Sequence, residues 1–409
     1  MSAEAAVSRL RWTMIALAFF ATLINYLDRQ ALSVAAPVLR AEFHLSNIDY
    51  SRILFAFMLA YTLMNGVAGI LIDRLGTRAG YALFVGWWSL CALIHSLARG
   101  PLSLGVFRFL LGLGEAGNWP GAVKVVAEWF PAEERSLASG IFNSGSSAGA
   151  ILAPPVIAFM LLRYGWRSAF LVVGFMGFVW LAAWLRLYHI PARAIAEEAN
   201  RQPIKLCQLL QSRFVWTFTL SKIFMDPAWY FYTFWFPEYL NHSRHFSIAS
   251  IGRYAWIPFL VAGVGSAGGG LIAKAFLIFG MPVGAARKSA VTIAALMMTM
   301  AIPAVLVNSS AVSIAFVSIA MAGYTAGLAN MLAMPADVFP AQAVASIYGL
   351  ASMGAGFGGM IFMLLTGWLV ERYSYVPAFV VFGLTPLVCS VVLWALTGPL
   401  TEDSRFVQA

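Results

Sequence analysis

Seven ionisable side chains fall where an apolar helix should hold none. Asp28, Arg29, Arg108, Glu115 and Lys124 lie in the first half of the chain and Lys222 and Asp226 in the second, each inside a long apolar run. At the centre of a membrane-crossing helix each costs about 2.5 to 3.5 kcal/mol. The five in the first half would therefore cost on the order of 15 kcal/mol if left unpaired. They must face a protein interior or a wet cavity, where such residues mark routes for ions or polar solutes. Arg108 and Glu115 are seven residues apart, nearly two turns and about 10 Å along a helix, so they share one face, and Asn118 joins them three residues on. In an unbent helix the two charges are too far apart for an intimate pair, which leaves each able to engage something else. Tyr26, Asp28 and Arg29 form the matching set on the first apolar run. Neighbouring helical residues point about 100° apart, so Asp28 and Arg29 flank one direction.

The second half offers an aromatic run, Asp226-Pro227-Ala228-Trp229-Tyr230-Phe231-Tyr232-Thr233-Phe234-Trp235-Phe236-Pro237. It reads either as a belt at the lipid–water interface or, with its prolines and its phenol and indole donors, as a flat face for a sugar-like ligand held by Trp229 and Tyr232. Asp226 either gates or satisfies backbone groups freed by Pro227. Asn330, Ser352 and Tyr324 are further ligand candidates on this half. Lys124 either snorkels to the membrane surface or helps an anion leave. His44, His95, His242 and His245 fall at or beyond one membrane face and read as surface residues. The glycines of 349–359 read as close helix packing, since no strand precedes them as a phosphate loop would need.

The elements that must position these groups follow from composition. Of 409 residues, 61% are hydrophobic and 11% charged, and the mean hydropathy is +0.80. A soluble domain carries about 25% charged residues, so this surface faces lipid, and a soluble enzyme is excluded. Runs this long and continuous also argue against a β-barrel, whose strands alternate over about 10 residues. At about 20 residues per crossing, apolar runs fall at 11–39, 51–73, 81–97, 102–130, 138–162 and 168–189, and again at 214–240, 251–279, 289–307, 312–338, 344–371 and 376–396. The expectation is an all-α membrane protein of twelve helices in two halves, 1–190 and 214–409, joined by a charged cytoplasmic linker over 191–213. The net charge of +9 is scattered through short loops without the stripe a nucleic acid would need. Its bias toward the linker side places both termini in the cytoplasm. Cys91, Cys207 and Cys389 show no disulfide or metal spacing, and the first apolar run reads as an anchor that is not cleaved. One offset of 209 residues aligns Phe130-Pro131 with Phe339-Pro340, Gly140, Gly145 and Gly149 with Gly349, Gly354 and Gly358, and Ala169-Phe170 and Gly174 with Ala378-Phe379 and Gly383. The halves thus read as parallel repeats, an arrangement that in transporters places substrate near the midplane.

Between the second and third runs stands Gly69-Ile70-Leu71-Ile72-Asp73-Arg74-Leu75-Gly76-Thr77-Arg78. It resembles the Gly-x-x-x-Asp-Arg-x-Gly-x-Arg loop of the major facilitator superfamily, which implies a gating role for Asp73, Arg74 and Arg78; the equivalent loop at 273–288 lacks the Asp-Arg pair. Asn25-Tyr26-Leu27-Asp28-Arg29, Arg108 with Glu115, Glu128-Trp129-Phe130-Pro131, and the Asp226-Pro227 run ending in Trp235-Phe236-Pro237 are similar to the anion:cation symporter family, in particular its hexuronate and sugar-acid proton symporters. That resemblance implies proton coupling at Asp28 and Glu115, a substrate carboxylate held by Arg29 with Tyr26 and Tyr61, and Arg108 partnering Glu115. Some galactonate-type relatives have Gln where this chain has Ser146, which places Ser146 among the residues reading the substrate and leaves the particular acid open.

The expected function is import of a monocarboxylate sugar acid with one or more protons. It would take place in a bacterial inner membrane, with a monomer, no nucleic-acid partner, and no cofactor beyond the coupling protons. The rival is anion exchange without protons, which would want paired arginines and no titratable acid; Asp28 and Glu115 speak against it.

Overall fold

In hydrocarbon no water is present to satisfy backbone N–H and C=O groups, so long apolar runs are driven into helices, which satisfy those groups internally. The computed structural model describes residues 3–130, 135–189, 206–339, 341–398 and 400, all helical or connecting. The expected linker up to residue 205, Pro131 and Pro340 of the repeated Phe-Pro pairs, and the side chain of Asp73 lie outside the described residues.

The first half carries α1 (Ala3–Phe43), α2 (Asn47–Leu75), α3 (Thr77–His95), α4 (Pro101–Glu115), α5 (Asn118–Trp129), α6 (Arg135–Tyr164) and α7 (Trp166–Leu187). After a short turn, α8 (Leu206–Leu209), come α9 (Arg213–Arg244), α10 (Ile248–Tyr254), α11 (Ile257–Ile278), α12 (Val283–Met298), α13 (Ala301–Leu306), α14 (Ser310–Val338), α15 (Ala341–Arg372) and α16 (Tyr375–Leu396). Three apolar runs are each split in two, giving α4–α5, α10–α11 and α12–α13, so the twelve expected helices are present. Each split precedes a proline: Pro120, Pro258 and Pro303 have no N–H to return to the carbonyls of Ala116, Tyr254 and Thr299. At the first break Gly117 is also required by packing, since a Cβ there would lie 2.1 Å from Cγ of Phe84. Nine helical stretches among the described residues are long and apolar enough to cross a membrane.

The chain forms two compact units. The first comprises Met1–Leu45, Ala56–Gln202 and Phe246–Trp256; the second comprises Ser46–Phe55, Pro203–His245 and Ile257–Ala409. In the first unit α6 packs on α1, and a Cβ at Gly145 or Gly149 would meet the carbonyl oxygens of Phe19 and Leu23 at 2.4 and 2.5 Å. In the second unit α15 packs on α9, and a Cβ at Gly354 or Gly358 would meet Cγ2 of Thr219 and the carbonyl of Ile223, each at 2.5 Å. The repeated glycines therefore do the same work in each unit, letting two backbones approach. Gly140 and Gly349 have nothing within 4 Å of a Cβ, so that part of the repeat has no packing reason. The start of α2 belongs to the second unit: Tyr50 donates to the carbonyl of Phe234 at 2.8 Å, and the Asn47 N–H donates to Glu371 at 2.8 Å. Reciprocally, α10 belongs to the first, with Gly252 closed against Ala158 of α6.

Candidate functional site

In the first unit α1, α2 and α4 bring together the charges that the sequence places far apart. Nε and Nη2 of Arg29 donate to Oε2 of Glu115 at 3.0 and 2.9 Å. The guanidinium carbon lies 5.2, 5.3 and 4.8 Å from the ring centres of Tyr26, Phe57 and Tyr61. The Arg29 and Glu115 side chains are 4% and 0% exposed, so each charge offsets part of the cost of burying the other. Three aromatic faces around one guanidinium add cation–π attraction, worth about 2 kcal/mol where desolvated. Oε1 of Glu115 and both oxygens of Asp28 are buried and accept no hydrogen bond among the described residues. Asp28 stands in the field of Glu115, which repels its charge, and of Arg108 and Arg29, which attract it. Arg108 is wholly buried and acts on both carboxylates. Two acids and two guanidiniums thus form a cluster of zero formal charge.

Glu115 lies in the field of Arg108, while the hydrogen bonds to its Oε2 come from Arg29, across helices. Two turns along one helix leave a gap of about 10 Å, whereas a neighbouring helix presents its side chains directly. Phe57 was not singled out from sequence, although it stands one turn before Tyr61 and stacks on it at 5.7 Å.

Asn118 opens α5 rather than continuing α4, and both ends of its amide are occupied. Its Oδ1 accepts from Tyr81 at 2.8 Å, and its Nδ2 donates to Thr22 at 3.2 Å, whose hydroxyl donates on to the carbonyl of Ala18. These bonds tie α1, α3 and α5 together, a different use from the expected ligand contact. The surface reading of His95 is corrected: it is buried, stacked on Phe170 at 5.2 Å, with Nδ1 at 2.6 Å from the carbonyl of Cys91. A position at a helix end says nothing of which way the ring turns. Lys124 is half-buried, and the Ser146 hydroxyl donates back to the carbonyl of Asn143 at 2.7 Å.

At the other end of this unit, Arg74 and Arg78 are exposed. Arg78 donates to the carbonyl of Leu185, and its own carbonyl accepts from Trp184 at 2.9 Å. Next to it, Glu128 accepts from Thr77 at 2.5 Å and from Tyr188, joining the start of α3 to the ends of α5 and α7. Burial first, and the neighbouring Glu128 second, push the Tyr188 phenol above its ordinary range and keep it a donor.

In the second unit Lys222 and Asp226, one turn apart on α9, form a buried ion pair with Nζ to Oδ2 at 2.7 Å. Tyr324 of α14 donates to Oδ1 of Asp226 at 3.3 Å, so the carboxylate serves side chains rather than the backbone around Pro227. Trp229, half-buried, stacks on Tyr324 at 5.1 Å. The belt reading of the aromatic run is overturned, because Phe231, Tyr232, Trp235 and Phe236 are fully buried. Tyr232 lies among Phe231 and Phe379. Asn330 is spent on helix contacts, donating to the carbonyls of Gly269 and Ala326 at 2.9 and 3.0 Å. Ser352 is half-buried on α15.

Residues 18–286 match the family described as Major Facilitator Superfamily. The chain is 32% identical over 408 residues to the hexuronate transporter of Escherichia coli strain K12, covering 95% of this chain and 94% of that one. It is 35% identical over 310 residues to the galacturonate transporter of Dickeya chrysanthemi, covering 71% of this chain and 90% of that one. The fold matches the crystal structure of a D-xylose-proton symporter with a TM-score of 0.79 at 13% identity, over 96% of this chain and 99% of that one.

Proposed function

The chain belongs to the Major Facilitator Superfamily, as a multi-pass membrane transporter and not an enzyme, and from that premise we propose that it imports a monocarboxylate sugar acid, of the hexuronate or aldonate class, together with protons. Its setting in this reading is a bacterial inner membrane with both termini in the cytoplasm, acting as a monomer. The substrate class rests on the hexuronate and galacturonate transporters to which it is similar.

One observation carries the proton coupling: the two donors of Arg29 that would suit a substrate carboxylate are committed to Oε2 of Glu115. A cluster of zero formal charge cannot accept an anion in a low-dielectric site without a compensating cation. If Glu115 takes a proton from solvent, it gives up its charge, and the same Nε and Nη2 can form a charge-assisted pair with the incoming carboxylate. One proton then accompanies one carboxylate and the cluster stays neutral. Asp28, in the field of both guanidiniums and without a hydrogen bond among the described residues, is the second proton acceptor. Tyr26 and Tyr61, which face the guanidinium, would line the carboxylate's approach; Trp229 and Tyr232 are the aromatic candidates of the second unit. Asp73, Arg74 and Arg78 retain their proposed gating role.

The test is uptake of D-galacturonate into proteoliposomes with and without an imposed pH gradient, beside counterflow at equal pH. Accumulation driven by an inward proton gradient supports symport. Counterflow that persists while the gradient has no effect would replace it with anion exchange.

A further inference from the structure

We propose that Asn25, one helical turn before Asp28 on α1, is a positioning residue for the coupling proton: its side-chain amide hydrogen-bonds Asp28 in both of that acid's protonation states as the transporter cycles. The proposal rests on the proton-symport reading above and deepens it, assigning a second residue to the step at Asp28.

Asn25 is 0% exposed, and neither its Oδ1 nor its Nδ2 has a hydrogen bond among the described residues. An amide buried in that way carries a standing cost that an apolar side chain of the same size would not. Helix packing does not account for it. Asn118 and Asn330, equally buried, spend their amides on facing helices, whereas Asn25 spends its amide on nothing of the kind. Both oxygens of Asp28 are likewise buried and unbonded among the described residues. Side chains three positions apart on a helix are neighbours, with Cβ atoms about 5 to 6 Å apart, within reach of two short polar side chains. A donor-acceptor group and an acid, each lacking a partner, therefore stand one turn apart on α1, wholly inside the first unit.

An amide suits an acid that must both take up and release a proton. A charged carboxylate only accepts hydrogen bonds, while the protonated acid also donates one; a guanidinium has donors alone and serves the charged form, but an amide has both a carbonyl oxygen and an NH₂ group. Nδ2 of Asn25 can donate to charged Asp28. After a proton binds one carboxylate oxygen and cancels the charge, a half-turn of the amide lets Oδ1 accept from the new O–H. The bond to the charged form is the stronger of the two, so the amide favours release without leaving the protonated acid unserved. The charged and titratable groups around Asp28 act differently. Glu115 of α4 opposes its charge, Arg108 of α4 and Arg29 of α1 favour it, and Cys91 of α3 lies in the field of both acids. None of these offers a donor and an acceptor in the way the amide does.

The test is the affinity of the full-length purified protein for D-galacturonate, followed by calorimetry across pH. Asn25→Leu removes both functions of the amide in nearly the same volume, and Asn25→Ala does so with less bulk should the leucine variant not fold. Because the charged form of Asp28 loses the stronger bond, the pH at which affinity declines should move toward the alkaline side by about one pH unit. Asn25→Ser, whose hydroxyl also donates and accepts, should return part of that shift. With Asp28→Asn already in place, Asn25→Leu should cause no further shift, since the two substitutions then act on one step. A profile unmoved by Asn25→Leu, a serine variant indistinguishable from the leucine one, or the same shift in the Asp28→Asn background overturns the proposal and leaves Asn25 a packing residue. A wild-type affinity that does not vary with pH refutes the proton-symport reading instead, and this proposal falls with it.

Discussion

Glu115→Gln should uncouple transport from protons while raising affinity for substrate at alkaline pH. The substitution keeps the size of the side chain and one carbonyl acceptor for Arg29, but removes the charge that both Nε and Nη2 now serve. Hydrogen bonds to a charged partner are worth about 1.5 to 3 kcal/mol and neutral ones about 1, so the amide holds Arg29 less strongly by about 1 to 2 kcal/mol. In the wild type an incoming carboxylate must displace Glu115 or wait for its protonation, so binding takes up a proton and weakens as pH rises. In the variant that competitor is gone. Affinity for D-galacturonate should therefore lose much of its pH dependence and, at alkaline pH, exceed the wild type by about five- to thirtyfold. Calorimetry across pH, with proteoliposome uptake and counterflow, reads each part. Counterflow should survive while accumulation driven by the pH gradient disappears. Wild-type accumulation in Glu115→Gln, or an affinity that still falls with pH as steeply as before, would refute the competition between Glu115 and substrate for Arg29.

Arg29→Lys retains the charge but loses the planar fork and the stack against Tyr26, Phe57 and Tyr61; it should weaken sugar-acid binding by about 2 kcal/mol, and wild-type affinity by calorimetry would move the carboxylate clamp to Arg108 or Lys124. Gly149→Ala and Gly358→Ala each put a methyl 2.5 Å from a backbone carbonyl of the facing helix and should lower thermal stability by about 1 to 3 kcal/mol. Gly349→Ala, with open space around it, should not; equal melting temperatures for all three would undo the packing account of the repeat. Tyr188→Phe should cost about 2 kcal/mol through the lost bond to Glu128. Because burial and Glu128 raise the phenol's pKa, that contribution is fully present below the ordinary tyrosine range and is lost only at more alkaline pH. Thermal unfolding of wild type and variant should therefore differ by the same amount at pH values on either side of neutrality.

Composition and run length were enough to specify a lipid-embedded bundle of twelve helices, because the length of an apolar run and the need to satisfy its backbone act locally along the chain. The same local physics marked Asp28, Arg29, Arg108 and Glu115 as costly residues needing partners. It could not say which acid would hold which base: that Arg29 of α1 reaches Glu115 of α4, 86 positions further along the chain, depends on how the two helices are set side by side. Asn118 and Asn330 looked like ligands by residue type, yet only packing showed their amides bonded to facing helices. His95 was misplaced, and the aromatic run of α9 was not resolved between lipid and ligand, for one reason. A sequence fixes where a residue falls along a helix, but the direction in which its side chain is buried is decided by the neighbours that tertiary structure supplies.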